Sequence, residues 1–313
     1  MTPPLPSLAY VPPWLRRCEG RRIAVIGADG FIGSHVVACA LAAGASVRAV
    51  CANDPWRIEG LPVELERPDR WSSSGSLEVD AVAILAYEPP PSYEDEVWLR
   101  HELEVNTEGA LSLARSAPRV VFTSTADVYG PLREGALDEL AEPEPATPYS
   151  RAKLEAEEGI AAASADHAVL RLSTVYGPSE HARRAIPAFI SALTGGGEPV
   201  VHGDGSDVRD YVYVGDVASA VVNACSGGAV GLFNIGSGIG RSTRDVLEAV
   251  ARVLDVPLRA RFEPSPRAPT RLVLDSSRAR SELDVVPGMD FERGLREEAG
   301  WLVATGGSRR TPR

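Results

Sequence analysis

Tyr149 and Lys153 form the pair in this chain best suited to proton chemistry. They stand four apart in Tyr-Ser-Arg-Ala-Lys. Thr147-Pro148 before them supplies an N-cap and a proline at the first helical position, so a helix over 149–163 carries both on one face. An ammonium near a phenol stabilises the phenolate and lowers its pKa from about 10, making the tyrosine a proton donor and acceptor near neutrality. Of the 32 Lys and Arg residues only Lys153 is a lysine; the other 31 are arginines. A chain so biased keeps a lysine where a compact ammonium is required and a planar fork does not fit. Such pairs are also common on helix surfaces, so the neighbours must decide.

Two neighbours do. Thr123-Ser124-Thr125 closes an apolar run, and a hydroxyl at the carboxyl end of a parallel strand faces the ligand crevice, where it can hydrogen-bond a substrate oxygen; a capped strand end is the plainer alternative. Gly27-Ala28-Asp29-Gly30-Phe31-Ile32-Gly33 follows a first strand and opens a helix, with the spacing that lets backbone N–H groups approach a pyrophosphate. The second strand should end at the cofactor's ribose. There the usual acidic position is Cys51, followed by Asn53 and Asp54. A missing carboxylate, with Arg48 and Arg57 to supply positive charge, favours NADPH over NAD; Asp54 reaching back would restore NAD.

These residues need a scaffold. Apolar runs at 22–26, 46–51, 80–86, 119–123, 167–172 and 231–235 read as strands. Helical patterns at 34–43, 149–163 and a helix-rich span at 94–116 alternate with them. The expected fold is α/β, a doubly wound parallel sheet (Rossmann) with a smaller mixed C-terminal substrate lobe. The expected division is a Pro-rich arm at 1–20, a dinucleotide domain at 21–177 with sheet contributions from about 214–235, a discontinuous lobe at 178–303 and a flexible tail at 304–313.

Composition closes off other classes. The 313 residues are 44% hydrophobic and 24% charged, a globular balance. A net charge of -11 argues against a nucleic-acid partner. Charged and glycine residues interrupt every apolar stretch short of a membrane span, and the N-terminal segment lacks a signal-peptide pattern. Cys18, Cys39, Cys51 and Cys225 show no metal spacing, which reads as reduced thiols and a cytoplasmic protein.

GADGFIGSH, TSTADVYG, YSRAK, LRLSTVYGP and RDYVYVGDV, in this order, resemble the extended short-chain dehydrogenase/reductase family, the nucleotide-sugar epimerase/dehydratase/ketoreductase group. The resemblance covers residues 23 to about 280. It implies NAD or NADP in the Rossmann domain, an NDP-hexose in the lobe, and a homodimer. Carried over by motif, the catalytic residues are Tyr149, Lys153 and Thr125. The cofactor is implied to meet Gly27, Asp29, Gly30, Phe31, Ile32, Gly33, Cys51, Asn53, Asp54, Ala86, Asn106 and Lys153. The substrate is implied to meet Thr125, Ala126, Asp127, Tyr149, Thr174, Arg209 and Arg267, the arginines holding the diphosphate through bidentate contacts.

Two departures bear on activity. Family members that dehydrate across C5 and C6 carry an acid pair, or a Ser/Glu pair, after the catalytic threonine; here Ala126 has nothing to donate, which disfavours a 4,6-dehydratase or decarboxylase. Thr174 replaces the family's asparagine, which resembles ketosugar reductases. The expected activity is hydride transfer at sugar C4, as reduction of an NDP-4-keto-hexose ahead of 4-epimerisation through a transient 4-keto sugar with bound NAD. A non-catalytic NADPH-binding regulator ranks last.

Overall fold

The computed structural model describes residues 10–68, 77–115, 117–265 and 269–305. The chain runs β1 (Arg22–Ile26), α1 (Phe31–Ala42), β2 (Ser46–Val50), β3 (Glu64–Glu66), β4 (Ala81–Ile84), α2 (Asp95–His101), α3 (Glu108–Leu113), β5 (Arg119–Thr125), α4 (Pro148–Ala163) and β6 (His167–Leu172). It continues through β7 (Thr174–Tyr176), α5 (Ala185–Thr194), β8 (Val200–His202), β9 (Val208–Tyr213), α6 (Val214–Cys225) and β10 (Gly231–Ile235). The last elements are β11 (Gly240–Ser242), α7 (Thr243–Leu254), β12 (Arg261–Glu263), β13 (Arg271–Leu272), α8 (Ser277–Glu282) and α9 (Phe291–Thr305).

Seven parallel strands form the main sheet in the order β10-β6-β5-β4-β1-β2-β3. Alternation along each strand feeds two cores. Ile23 and Val25 of β1 join Val36 and Val37 of α1 and the valines of α6 on one face, while Ala24 and Ile26 join Leu113 and Ile160 on the other. Strand order reverses between β1 and β4, which opens a crevice above the carboxyl ends of the strands.

A smaller mixed sheet lies beyond. β9 pairs antiparallel with β11 and parallel with β7 and β13, and β8 pairs with β12. β10 returns the chain to the main sheet beside β6. Residues from Tyr10 onward lie against α6: the Tyr10 hydroxyl donates to Asp216 at 2.7 Å and the Arg16 amide to Asn223 at 2.8 Å.

One element differs from the sequence expectation. The run at 80–86 is the fourth strand, because a short edge strand, Glu64-Leu65-Glu66, precedes it with no apolar run to signal it. The span 94–116 is helix-rich as expected, in three pieces. A π-helical stretch, Glu102–Thr107, separates α2 from α3 and turns Glu102 and Asn106 inward.

Candidate active site

The start of α4 is fixed by a reciprocal cap. Thr147 Oγ1 accepts the Ser150 amide at 3.1 Å, Ser150 Oγ accepts the Thr147 amide at 3.1 Å, and Pro148 follows the cap. Tyr149, Lys153 and Glu157 then descend one face at helical spacing. Tyr149 and Lys153 line a cavity of about 810 Å³ above the carboxyl ends of β4, β5 and β6. Phe31 and Ile32 of the glycine turn form one wall, and Thr174 and Arg209 the wall from the smaller sheet. Thr125, Ala126 and Asp127 contribute the segment between them.

The Lys153 ammonium is buried. It donates to the Thr123 carbonyl at 3.0 Å and lies 4.5 Å from the centre of the Phe122 ring. Burial lowers its pKa to about 8, against the opposing charges of Glu102 and Glu157. Its distance to the Tyr149 ring centre is 5.9 Å. The expected acidification of Tyr149 is therefore corrected: burial, then the charges of Asp127 and Glu102, raise the phenol pKa, with Arg184 opposing. The ammonium gives one hydrogen bond to a carbonyl, and without further positive charge in the cavity burial keeps the Tyr149 phenol protonated at neutral pH.

Below Lys153 lies a rigid base. Arg171 forks onto Glu157, with Nη2 to Oε2 at 2.6 Å, and stacks 4.6 Å over the Tyr129 ring, while Ser124 donates to the same carboxylate. Both members of the ion pair are buried.

Asn106 is not among the residues lining this cavity. Its side chain exchanges hydrogen bonds with the backbone of Glu88, accepting at 2.8 Å and donating at 2.9 Å, and donates to Glu102 at 3.0 Å. Glu102 also accepts from Tyr87 at 2.7 Å and Trp98 at 2.9 Å. Tyr87 in turn meets Tyr149 edge to face, ring centres 5.3 Å apart. Asn106 thus supports the wall that holds Tyr149.

The glycine turn suits a pyrophosphate. Gly27 has φ +85°, and a side chain there would strike the Ala86 backbone at 2.8 Å; one at Gly33 would overlap the Gly27 carbonyl. α1 starts at Gly30 without a side-chain cap, so its first-turn N–H groups face the site where an anion is stabilised. At the ribose end, Cys51 is fully buried and is not presented as the reading residue, whereas Asn53 and Asp54 are exposed. The Asn53 amide donates to Asp29 Oδ2 at 2.9 Å. Arg48 faces away and binds Glu64, Nε to Oε1 at 3.0 Å. Arg57 donates to Ser179 Oγ at 2.6 Å and to the Asp29 carbonyl at 3.0 Å.

Arg209 and Asp127 both line the cavity but are joined to each other at 2.9 Å. Arg267 lies outside the described residues. Sequence reasoning missed Glu180, which lines the cavity and accepts from Arg184 Nε at 3.3 Å. Its neighbour Glu298 on α9 is fully buried, with neither carboxyl oxygen partnered by a donor among the described residues. Burial pushes Glu180 up to about 7 and Glu298 well above the carboxylate range, so the pair holds a proton at neutral pH. Positions 180 and 298 meet only through the fold, and no local pattern marks them.

Known proteins agree with this architecture. Residues 23–236 match the model of the NAD dependent epimerase/dehydratase family. The chain is 31% identical to a UDP-glucose 4-epimerase of Mycolicibacterium smegmatis, over 88% of this chain and 96% of that protein. It is 30% identical to a dTDP-glucose 4,6-dehydratase of Streptomyces griseus, over 89% and 93%. The structure of a Thermotoga maritima UDP-glucose 4-epimerase with UDP-glucose superposes with a TM-score of 0.80 at 26% identity, covering 91% of this chain and 99% of that one. No described helix is long and apolar enough to cross a membrane. The chain belongs to the NAD dependent epimerase/dehydratase family, the nucleotide-sugar branch of the extended short-chain dehydrogenases/reductases.

Proposed function

We propose that the protein is a nucleotide-sugar 4-epimerase that works with a retained NAD. The observation that carries this reading is the meeting of Thr125, Tyr149 and Lys153 in one cavity, with Ala126 carrying no acid next to Thr125 and Asp127 paired with Arg209. The glycine turn and the first turn of α1 hold the dinucleotide, and Lys153 lies on the wall facing its nicotinamide half. When bound, the dinucleotide supplies the hydride acceptor and donor. Thr125 orients the C4 oxygen of the sugar by a hydrogen bond. As the ketone forms, the proton of the C4 hydroxyl would pass to Tyr149 as a phenolate, which the positive charges of Lys153 and of the bound oxidised dinucleotide would stabilise, and the resulting phenol would return it when the sugar is reduced on the other face. Lys153 supplies positive charge beneath this exchange, and Arg209 holds the diphosphate.

This order of readings reverses the one favoured by sequence. Both arginines that spoke for NADPH are engaged, Arg48 with Glu64 and Arg57 with Ser179 and Asp29. Reduction of a 4-keto sugar is the second reading, favoured by Tyr149 being a proton donor at rest. The experiment is turnover of UDP-glucose and dTDP-glucose by purified protein. Formation of the C4 epimer without added cofactor supports the epimerase. Stoichiometric NADPH oxidation by a 4-keto sugar nucleotide, without epimerisation, overturns it in favour of the reductase.

A further inference from the structure

The end of β2 carries no carboxylate, yet one stands beside it. Asp29, in the middle of the glycine turn, is 7% exposed and binds the Asn53 amide at 2.9 Å. Its charge also reaches the Cys51 thiol, which burial first and Asp29 second push up to about 12. The loop after β2 therefore closes around an acid delivered from a different strand. The Arg57 guanidinium stands beside this acid with its donors engaged, Nη1 giving to the Asp29 carbonyl at 3.0 Å. Arg57 binds the hydroxyl of Ser179 at 2.6 Å and its carbonyl at 3.4 Å. Ser179 is fully buried with φ +74°, and the same segment is anchored where His35 Nε2 meets the Pro178 carbonyl at 2.9 Å.

In a doubly wound fold the adenosine ribose is read at the end of the second strand. We infer that Asp29 replaces the missing strand-end acid and selects a dinucleotide with a free 2′-hydroxyl over one with a 2′-phosphate, while Ser179 and the Asp29 carbonyl together occupy the donors of Arg57 that such a phosphate would need. A carboxylate has about four lone-pair sites, so Asp29 can hold Asn53 and still accept from a ribose hydroxyl. It repels a phosphate of like charge in the same place. The inference rests on the dinucleotide site and not on the C4 chemistry, so the two fail separately.

The test is calorimetric titration of the cofactor-stripped protein with NAD and with NADP. Wild type should bind NAD at least about tenfold more tightly. Asp29→Asn keeps an acceptor for the Asn53 amide and loses the charge; it should narrow that ratio by about tenfold, the scale of one unscreened like charge a few ångströms away. Asp29→Ser, a smaller acceptor, guards against a folding defect in the first variant and should narrow it likewise. Ser179→Ala frees the Nε donor of Arg57 and should tighten NADP alone. A wild type that binds NADP as tightly as NAD overturns the inference, as does a ratio within about twofold of wild type in both Asp29 variants.

Discussion

Arg209 Nη1 donates to Asp127 Oδ1 at 2.9 Å, joining β9 to the turn after β5 across the cavity. Both side chains are partly solvent-exposed, so the pair itself is worth at most about 1 kcal/mol. Its interest is competitive: a diphosphate must draw the guanidinium from the carboxylate. Arg209→Met should raise the KM for a nucleotide sugar by roughly 10- to 100-fold with little change in kcat, the scale of a lost charge-assisted contact. Asp127→Asn should lower KM, and steady-state kinetics on the two variants distinguishes this from a purely structural pair, for which both would raise it.

Tyr149→Phe removes the phenol proposed to exchange the proton on the C4 oxygen. Turnover should fall by about 10² or more, with dinucleotide binding and melting temperature preserved. Rapid-quench assays beside a thermal melt check this. Near-normal turnover would mean that another group moves the proton.

Lys153→Arg keeps the charge and changes its shape. The ammonium sits between the Thr123 carbonyl and the Phe122 ring, where arginine would bring a longer stem and a planar fork in place of a compact point donor. Turnover should fall by about 10² or more although the positive charge remains. Full activity in this variant would sever the link between the lone lysine and catalysis.

Glu180 gives the protein a pH signature. Burial lifts it from 4.5 to about 7, so between these values the folded chain holds a proton that the unfolded chain has released. Its contribution to stability is therefore complete below 4.5 and is lost as pH rises through about 7. Glu298, raised further, extends the same trend upward, and the groups facing the pair are Arg184, Tyr176 and Tyr211. Melting temperatures between pH 5 and 8 should fall with pH in wild type, and the decline should be shallower in Glu180→Gln. Parallel profiles would show that other groups set the dependence.

Much of the site was legible because it is local. The turn from Gly27 to Gly33, the strand end at Thr125 and the helical pair Tyr149/Lys153 each lie within a few residues of one another, and the parallel sheet places all three at its carboxyl edge. What sequence could not convey was tertiary. The ammonium turned to a carbonyl rather than to the phenol, Asn106 turned to Glu88, and Arg57 turned to Ser179 more than a hundred residues away. The strand Glu64–Glu66 escaped notice because an exposed edge needs no apolar run, and the π-helical stretch because its apolar pattern is that of an ordinary helix.

The floor of the cavity holds the one ε-amine this chain possesses, with its basicity reduced to about 8. Acylating reagents and small aldehydes that elsewhere scatter over a protein surface have a single side-chain target here. Labelling yield, read by mass spectrometry, thus becomes a gauge of how open the chamber is, slowing as ligands fill it. The same scarcity removes the usual handles for attaching the protein to a support through surface lysines.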